Sequence, residues 1–166
     1  MARKITLAKR SIKRIEGSTL AEFAPAFFIL LVGLFFPMLD LMALSTVYSV
    51  GASMNDEQLR EAALLKRSQA QDVLGSVMYT IPNAWKNSGL GRYAKIDSDI
   101  ITSVSYADGP QDQYGNVEKL VCVSTSFSVK PFLSVPIPIS VPGLNADITF
   151  NFNSRRVLEY PPNANQ

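Results

Sequence analysis

Histidine is absent from this chain, and cysteine occurs once, at Cys122. Without histidine there is no Ser–His–Asp or Cys–His catalysis and no histidine-ligated metal. A single cysteine excludes an intrachain disulfide and a cysteine-rich zinc site. Cys122 lies in an apolar, alternating run and reads as a small packed residue rather than a reactive thiol. A GxxxxGK[ST] phosphate loop is also missing. Asp97, Asp99, Asp108 and Asp112 lack the spacing and closing glutamate of a calcium loop, so they read as solvated loop residues. No catalytic constellation, cofactor site or metal site is visible.

Charge is sparse and unevenly placed. The 166 residues, enough for one modest domain, carry a net +2. Residues 1–17 hold Arg3, Lys4, Lys9, Arg10, Lys13 and Arg14 against Glu16 alone, a local +5, which leaves −3 on the rest. A basic arm followed by a mildly acidic body does not read as a nucleic-acid surface.

Directly after the arm comes a long apolar run. Phe23 to Leu39 contains no charge, and beyond Asp40 the apolar character resumes through Val50. As a helix, Phe23 to Val50 measures about 42 Å at 1.5 Å per residue. A hydrocarbon core of about 30 Å needs about 20 residues, so one tilted helix spans with length to spare. The basic arm on its N-terminal side places the N-terminus in the cytoplasm and the body outside. Two other readings fit less well. "MALST" offers Ala43 and Ser45 at signal-cleavage spacing, but the apolar run is long and the basic region extended for a conventional signal. A buried core helix would need more covering protein than so small a chain provides.

Glu22 stands at the edge of this run, where a carboxylate is expensive and usually has a partner. Lys13 and Arg14 lie about two turns or more away, on the cytoplasmic side. One reading leaves Glu22 at headgroup level, tolerated by the helix macrodipole. The residues carry another. A basic leader ends at Gly17, Glu22 is the fifth residue after it, and Phe23 follows. This resembles the type IV prepilin signature. "STLAEFAPAFFILLVGLFFPMLDL", with Asp40 closing the span, resembles the opening of TadE-like proteins of the tight-adherence (Flp) pilus system. "QLREAALLKR" and the closing "VLEYPP" are similar to the later parts of that family, while residues 80–116 match no part of it. Pro25 comes early for the family, and Leu41 and Met42 stand where glycine and a basic residue are common.

The resemblance implies cleavage by a prepilin peptidase between Gly17 and Ser18 on the cytoplasmic face, with methylation of the new amine. It implies that Glu22 and Phe23 serve assembly with other pilins or pseudopilins. Physically, the Ser18 amine of one subunit and the Glu22 carboxylate of a neighbour compensate each other only when subunits meet in register.

Pro25 and Pro37 remove backbone donors and are expected to bend the helix or open it locally. Asp40 reads as an interfacial residue, ahead of a helix–helix contact or an ion-pair site. Past Gly51 the composition turns polar. Asn55 and Gln58 have capping-box form, so a helix restarts there, unless one helix runs on unbroken. Ala70, Val73, Leu74, Val77, Met78 and Ile81 recur at helical spacing, a stripe read as core and alternatively as a docking face.

"NSGLGRY" and "ADGPQDQYGN" are loop signals. Val121, Val123, Thr125, Phe127 and Val129 alternate on one strand face, as do Ile148, Phe150 and Phe152, with Ile100 to Tyr106 a weaker third strand. Between the stronger two, Pro131, Pro136, Pro138 and Pro142 forbid a regular central strand. The apolar residues among them either lid the sheet or offer an extended surface to another component.

The expected fold is α+β: a basic leader (1–17), a transmembrane helix (18–50), a helical stem (51–82), and a periplasmic β-rich domain (83–166) with a small antiparallel sheet packed on the stem. The expected function is structural, not enzymatic: a minor pilin or pseudopilin in the bacterial inner membrane, its body periplasmic or incorporated into an extracellular pilus. The alternative is a permanently anchored periplasmic adaptor or binding protein of a secretion complex.

Overall fold

The apolar run and the polar stretch after it form one rod. The computed structural model describes residues 18–96, 98–111, 113–133 and 138–159, with side chains from Phe23 onward. Within it, α1 (Ser18–Leu30) passes through a π-helical turn (Leu31–Phe35) into α2 (Phe36–Leu64). The wide turn answers the proline that follows it. Pro37 has no N–H to offer the carbonyl one turn below, and the Phe36 N–H reaches back to the Leu31 oxygen, five residues earlier. Pro25, by contrast, is carried inside α1.

The expected restart at Asn55 does not occur. Asn55 and Gln58 are buried inside α2, facing the sheet, and cap nothing. The helix passes residue 50 unbroken and stops at Leu64, short of residue 82. Leu65 is already extended. Beyond it come α3 (Arg67–Ala70), a second π-helical turn (Ser76–Thr80), α4 (Ile81–Asn87) and α5 (Gly89–Tyr93). The single stripe expected over 70–81 is therefore divided. Ala70 and Val77 are buried, whereas Val73 and Leu74 lie in the connecting turn and are exposed.

Three antiparallel strands complete the body: β1 (Ile101–Gln111), β2 (Val117–Val129) and β3 (Ile148–Val157), with β2 in the centre. The alternation read from the sequence holds. Val121, Val123, Thr125, Phe127 and Val129 are all buried against the helix, and Phe152 joins them from β3. Cys122, on the opposite face, is half-buried. β1 extends further than the weak third strand expected, since Ala107 to Gln111 pair with β2 across a bulge and the loop signal narrows to the hairpin tip.

The rod and the central strand β2 run in opposite senses. Leu59, Ala62 and Ala63 of α2 pack with Val121 and Val123, while Val47 and Met54 pack with Phe127 and Val129. The β1–β2 hairpin is thus at the far end, and the described residues between β2 and β3 lie low, with Leu133 and Gly143 beside the first turns of α2. Small residues let the layers approach: a Cβ on Gly51 would stand 2.6 Å from the Phe152 ring. Polar groups fix the register. Buried Gln58 donates to the Val77 carbonyl and to Thr102 Oγ1, both at 2.8 Å, and accepts from Thr125 Oγ1 at 2.8 Å. Asn55 donates to Ser154 Oγ at 2.8 Å.

Candidate functional site

Two halves of the rod have different surroundings. No residue from Phe23 to Leu39 is buried, whereas from Asp40 a stripe at three- and four-residue steps (Ala43, Val47, Gly51, Met54 and onward) is covered by the body. Leu41 and Met42, on the uncovered side, are still exposed. Apart from the buried Asp40, exposed and half-exposed apolar helix therefore extends from Phe23 to Met42, a span of 20 residues, or about 30 Å. That is the thickness of a hydrocarbon core. Phe23 to Leu64 is the one helix among the described residues long and apolar enough to cross a membrane, with a mean hydropathy of 2.4 in its most apolar window.

Of the residues implicated in processing and assembly, Gly17 lies outside the described residues. Ser18 and Glu22 belong to the backbone of α1. Phe23 is exposed and stacks on Phe27 at 5.8 Å between ring centres, making a flat aromatic face at the foot of the rod.

Asp40, at the upper end of the bare half, is taken up by the protein itself. It is fully buried, and its Oδ1 accepts the Leu133 N–H at 2.7 Å while Oδ2 has no partner among the described residues. The loop after β2 is thereby latched to the rod where the bare half ends. A helical aspartate gives no sign that its donor lies 93 residues away. The same loop returns through a turn in which the Val141 N–H donates to Asn145 Oδ1 at 2.7 Å and the Gly143 N–H to the Ala146 carbonyl at 2.8 Å. Gly143 has φ +84 and sits so close to Leu44 that a Cβ would stand 2.6 Å from its Cδ1. The described part of the proline-rich connection thus packs beside the rod rather than over the sheet, and Ile139 is left exposed.

Around this latch is a collar. Tyr93 and Phe132 are ring neighbours at 5.9 Å. Lys95 Nζ donates to the Phe132 carbonyl at 2.9 Å and lies 5.2 Å from the Phe132 ring centre. Lys95 and Lys130 border a small recess together with Ala43, Leu44 and Val47 of α2. Aromatic rings and long cations at the end of an apolar helix are the side chains that suit a membrane–water boundary.

Asp99 pairs with Lys86 at 3.2 Å, and Asp108 with Lys119, while Asp97 and Asp112 lie outside the described residues. No three Asp, Glu or Cys side chains among the described residues are grouped to hold a metal. One titration is displaced. Burial pushes the Tyr106 phenol above its usual range, opposed in part by Arg67, whose guanidinium stands 5.0 Å over the ring; the Tyr106 hydroxyl has no hydrogen-bond partner among the described residues.

Comparison with known protein families, with characterised proteins and with solved structures finds no match to this chain.

Proposed function

We propose that this chain is a single-pass inner-membrane protein acting as a structural minor pilin or pseudopilin of the TadE-like kind in the biogenesis of a tight-adherence pilus. The observation that carries the reading is the division of one unbroken rod into a bare apolar half of membrane length and an upper half covered by a small sheet. That division provides an anchor below and a displayed body above. The basic arm orients the anchor with residues 1–17 in the cytoplasm and the body in the periplasm.

The protein's chemistry is that of a substrate. A prepilin peptidase cuts between Gly17 and Ser18, where glycine leaves the backbone open to close approach. Removing the arm creates an amine at Ser18, one helical turn from Glu22. Neighbouring subunits then exchange amine and carboxylate across packed apolar helices, and the exposed Phe23 and Phe27 rings supply contact area beside that pair.

Intact mass and N-terminal sequencing of the membrane-extracted protein test the reading. The mature chain is expected to start at Ser18, and Gly17→Leu is expected to keep its leader while remaining in the membrane. A wild-type protein that retains residues 1–17 in cells with the peptidase would instead favour a permanently anchored adaptor.

A further inference from the structure

We propose that the groove between α5 and the end of β2 seats the phosphate of an anionic phospholipid in the outer leaflet. The proposal rests on the membrane-spanning reading above. The body downstream of residue 17 is net acidic, yet Lys86, Arg92, Lys95 and Lys130 all line one open groove of about 460 Å³. Arg92 and Lys95 are exposed. Lys86 forms the back wall, held at 3.2 Å by both the Ser98 carbonyl and Asp99. Lys95 uses one of its three donors on the Phe132 carbonyl, which fixes the ammonium at the mouth and leaves two N–H groups for a ligand. Its backbone is left-handed, φ 49, a conformation uncommon for a side chain of this kind and easier for glycine or asparagine. A lysine is held there against local preference.

Depth decides between a lipid and a soluble anion. Lys95 and Lys130 share a recess with Ala43, Leu44 and Val47. Those residues lie about 5–10 Å along the helix from Asp40. A headgroup layer is about 5–8 Å thick on each side of the hydrocarbon. With the apolar surface ending near Met42, the mouth of the groove falls at the level of the lipid phosphates. Tyr93 and Phe132 line the adjoining recess, at the level where aromatic rings collect.

The test uses the full chain in nanodiscs containing equal phosphatidylglycerol and phosphatidylcholine, released into the gas phase to count retained lipids by native mass spectrometry. Wild-type protein is expected to retain phosphatidylglycerol preferentially. At about fivefold per near-surface cation, Arg92→Gln/Lys95→Gln loses roughly 25-fold of that preference. The charge-preserving Arg92→Lys/Lys95→Arg is expected to keep it. Millimolar inorganic phosphate is expected to leave retention unchanged. Equal retention of the two lipids by the wild type, an unaffected double Gln variant, or displacement by free phosphate would each overturn the proposal. Carbonate extraction of native membranes, run in parallel, reports the anchor separately: failure there removes the membrane reading, whereas a carbonate-resistant chain without lipid preference removes only the groove.

Discussion

Asp40 is buried and Tyr106 half-buried, each with one enclosed polar atom left over, and they call for opposite substitutions. At Asp40, Oδ1 holds the Leu133 amide. Asp40→Ala removes that acceptor and strands a buried donor, at a cost of about 1–3 kcal/mol. Asp40→Asn keeps an acceptor in the same place. Hydrogen exchange at Leu133 is therefore expected to accelerate strongly in the alanine variant and little in the asparagine one; equal protection in all three would show that the latch is unimportant. At Tyr106 the hydroxyl is enclosed without a partner among the described residues. Tyr106→Phe removes a group that burial penalises and keeps the ring under Arg67, so unfolding is expected to be unchanged or harder by up to about 1 kcal/mol. The pH dependence follows from the raised phenol. The unfolded chain releases this proton near pH 10 and the folded chain only higher, so the folded state loses stability as pH rises above about 10. In Tyr106→Phe that part of the alkaline loss disappears, which a pH series of denaturation midpoints reads directly.

At the scale of elements, the contact between α2 and the sheet depends on what is missing from the helix. Gly51→Ala drives a methyl into the Phe152 and Phe127 rings, 2.6 and 2.8 Å away. Overpacking of this kind costs about 1–3 kcal/mol, more than the helix propensity that alanine gains. Gly33, in the bare half, has nothing within 4 Å of such a methyl. Gly33→Ala is therefore expected to leave unfolding of the body unchanged, a contrast that chemical denaturation of the two variants measures. The strands were legible in the sequence because a period of two survives wherever one face is buried, as Val121 to Val129 show. The helix boundary was not. Asn55 and Gln58 have the form of a cap because small polar residues usually stay near their own backbone. Here their partners are Ser154, Thr102 and Thr125 on strands far along the chain. Val73 and Leu74 fit a helical period that the extended backbone at Leu65 and the turn over residues 71–75 interrupt. Periodicity alone carries no sign of those breaks.

For the whole molecule the proposed function turns on what would happen when rods meet. Glu22→Leu removes a charge from the apolar half, so insertion is expected to be at least as favourable as in the wild type. A partner amine left unpaired in an assembled contact costs about 3–5 kcal/mol, two or more decades in association. On the proposed pilin role, the variant is therefore expected to insert and be cleaved yet co-purify poorly with pilin partners at matched membrane levels; undiminished recovery would reduce Glu22 to an interfacial residue. The wide turn at Leu31–Phe35 bears on the same encounter. It takes up one residue more than an α-turn, and each residue is about 100° of rotation. Every side chain on the foot of the rod is thus offset by about a quarter of a circle from the bearing an uninterrupted α-helix would give it. The body above, latched at Asp40, cannot turn to follow. In the proposed assembly, where the feet of several rods would gather around a common axis, this one turn sets the compass heading of each sheet, and with it which face of the body looks outward and which looks at its neighbour.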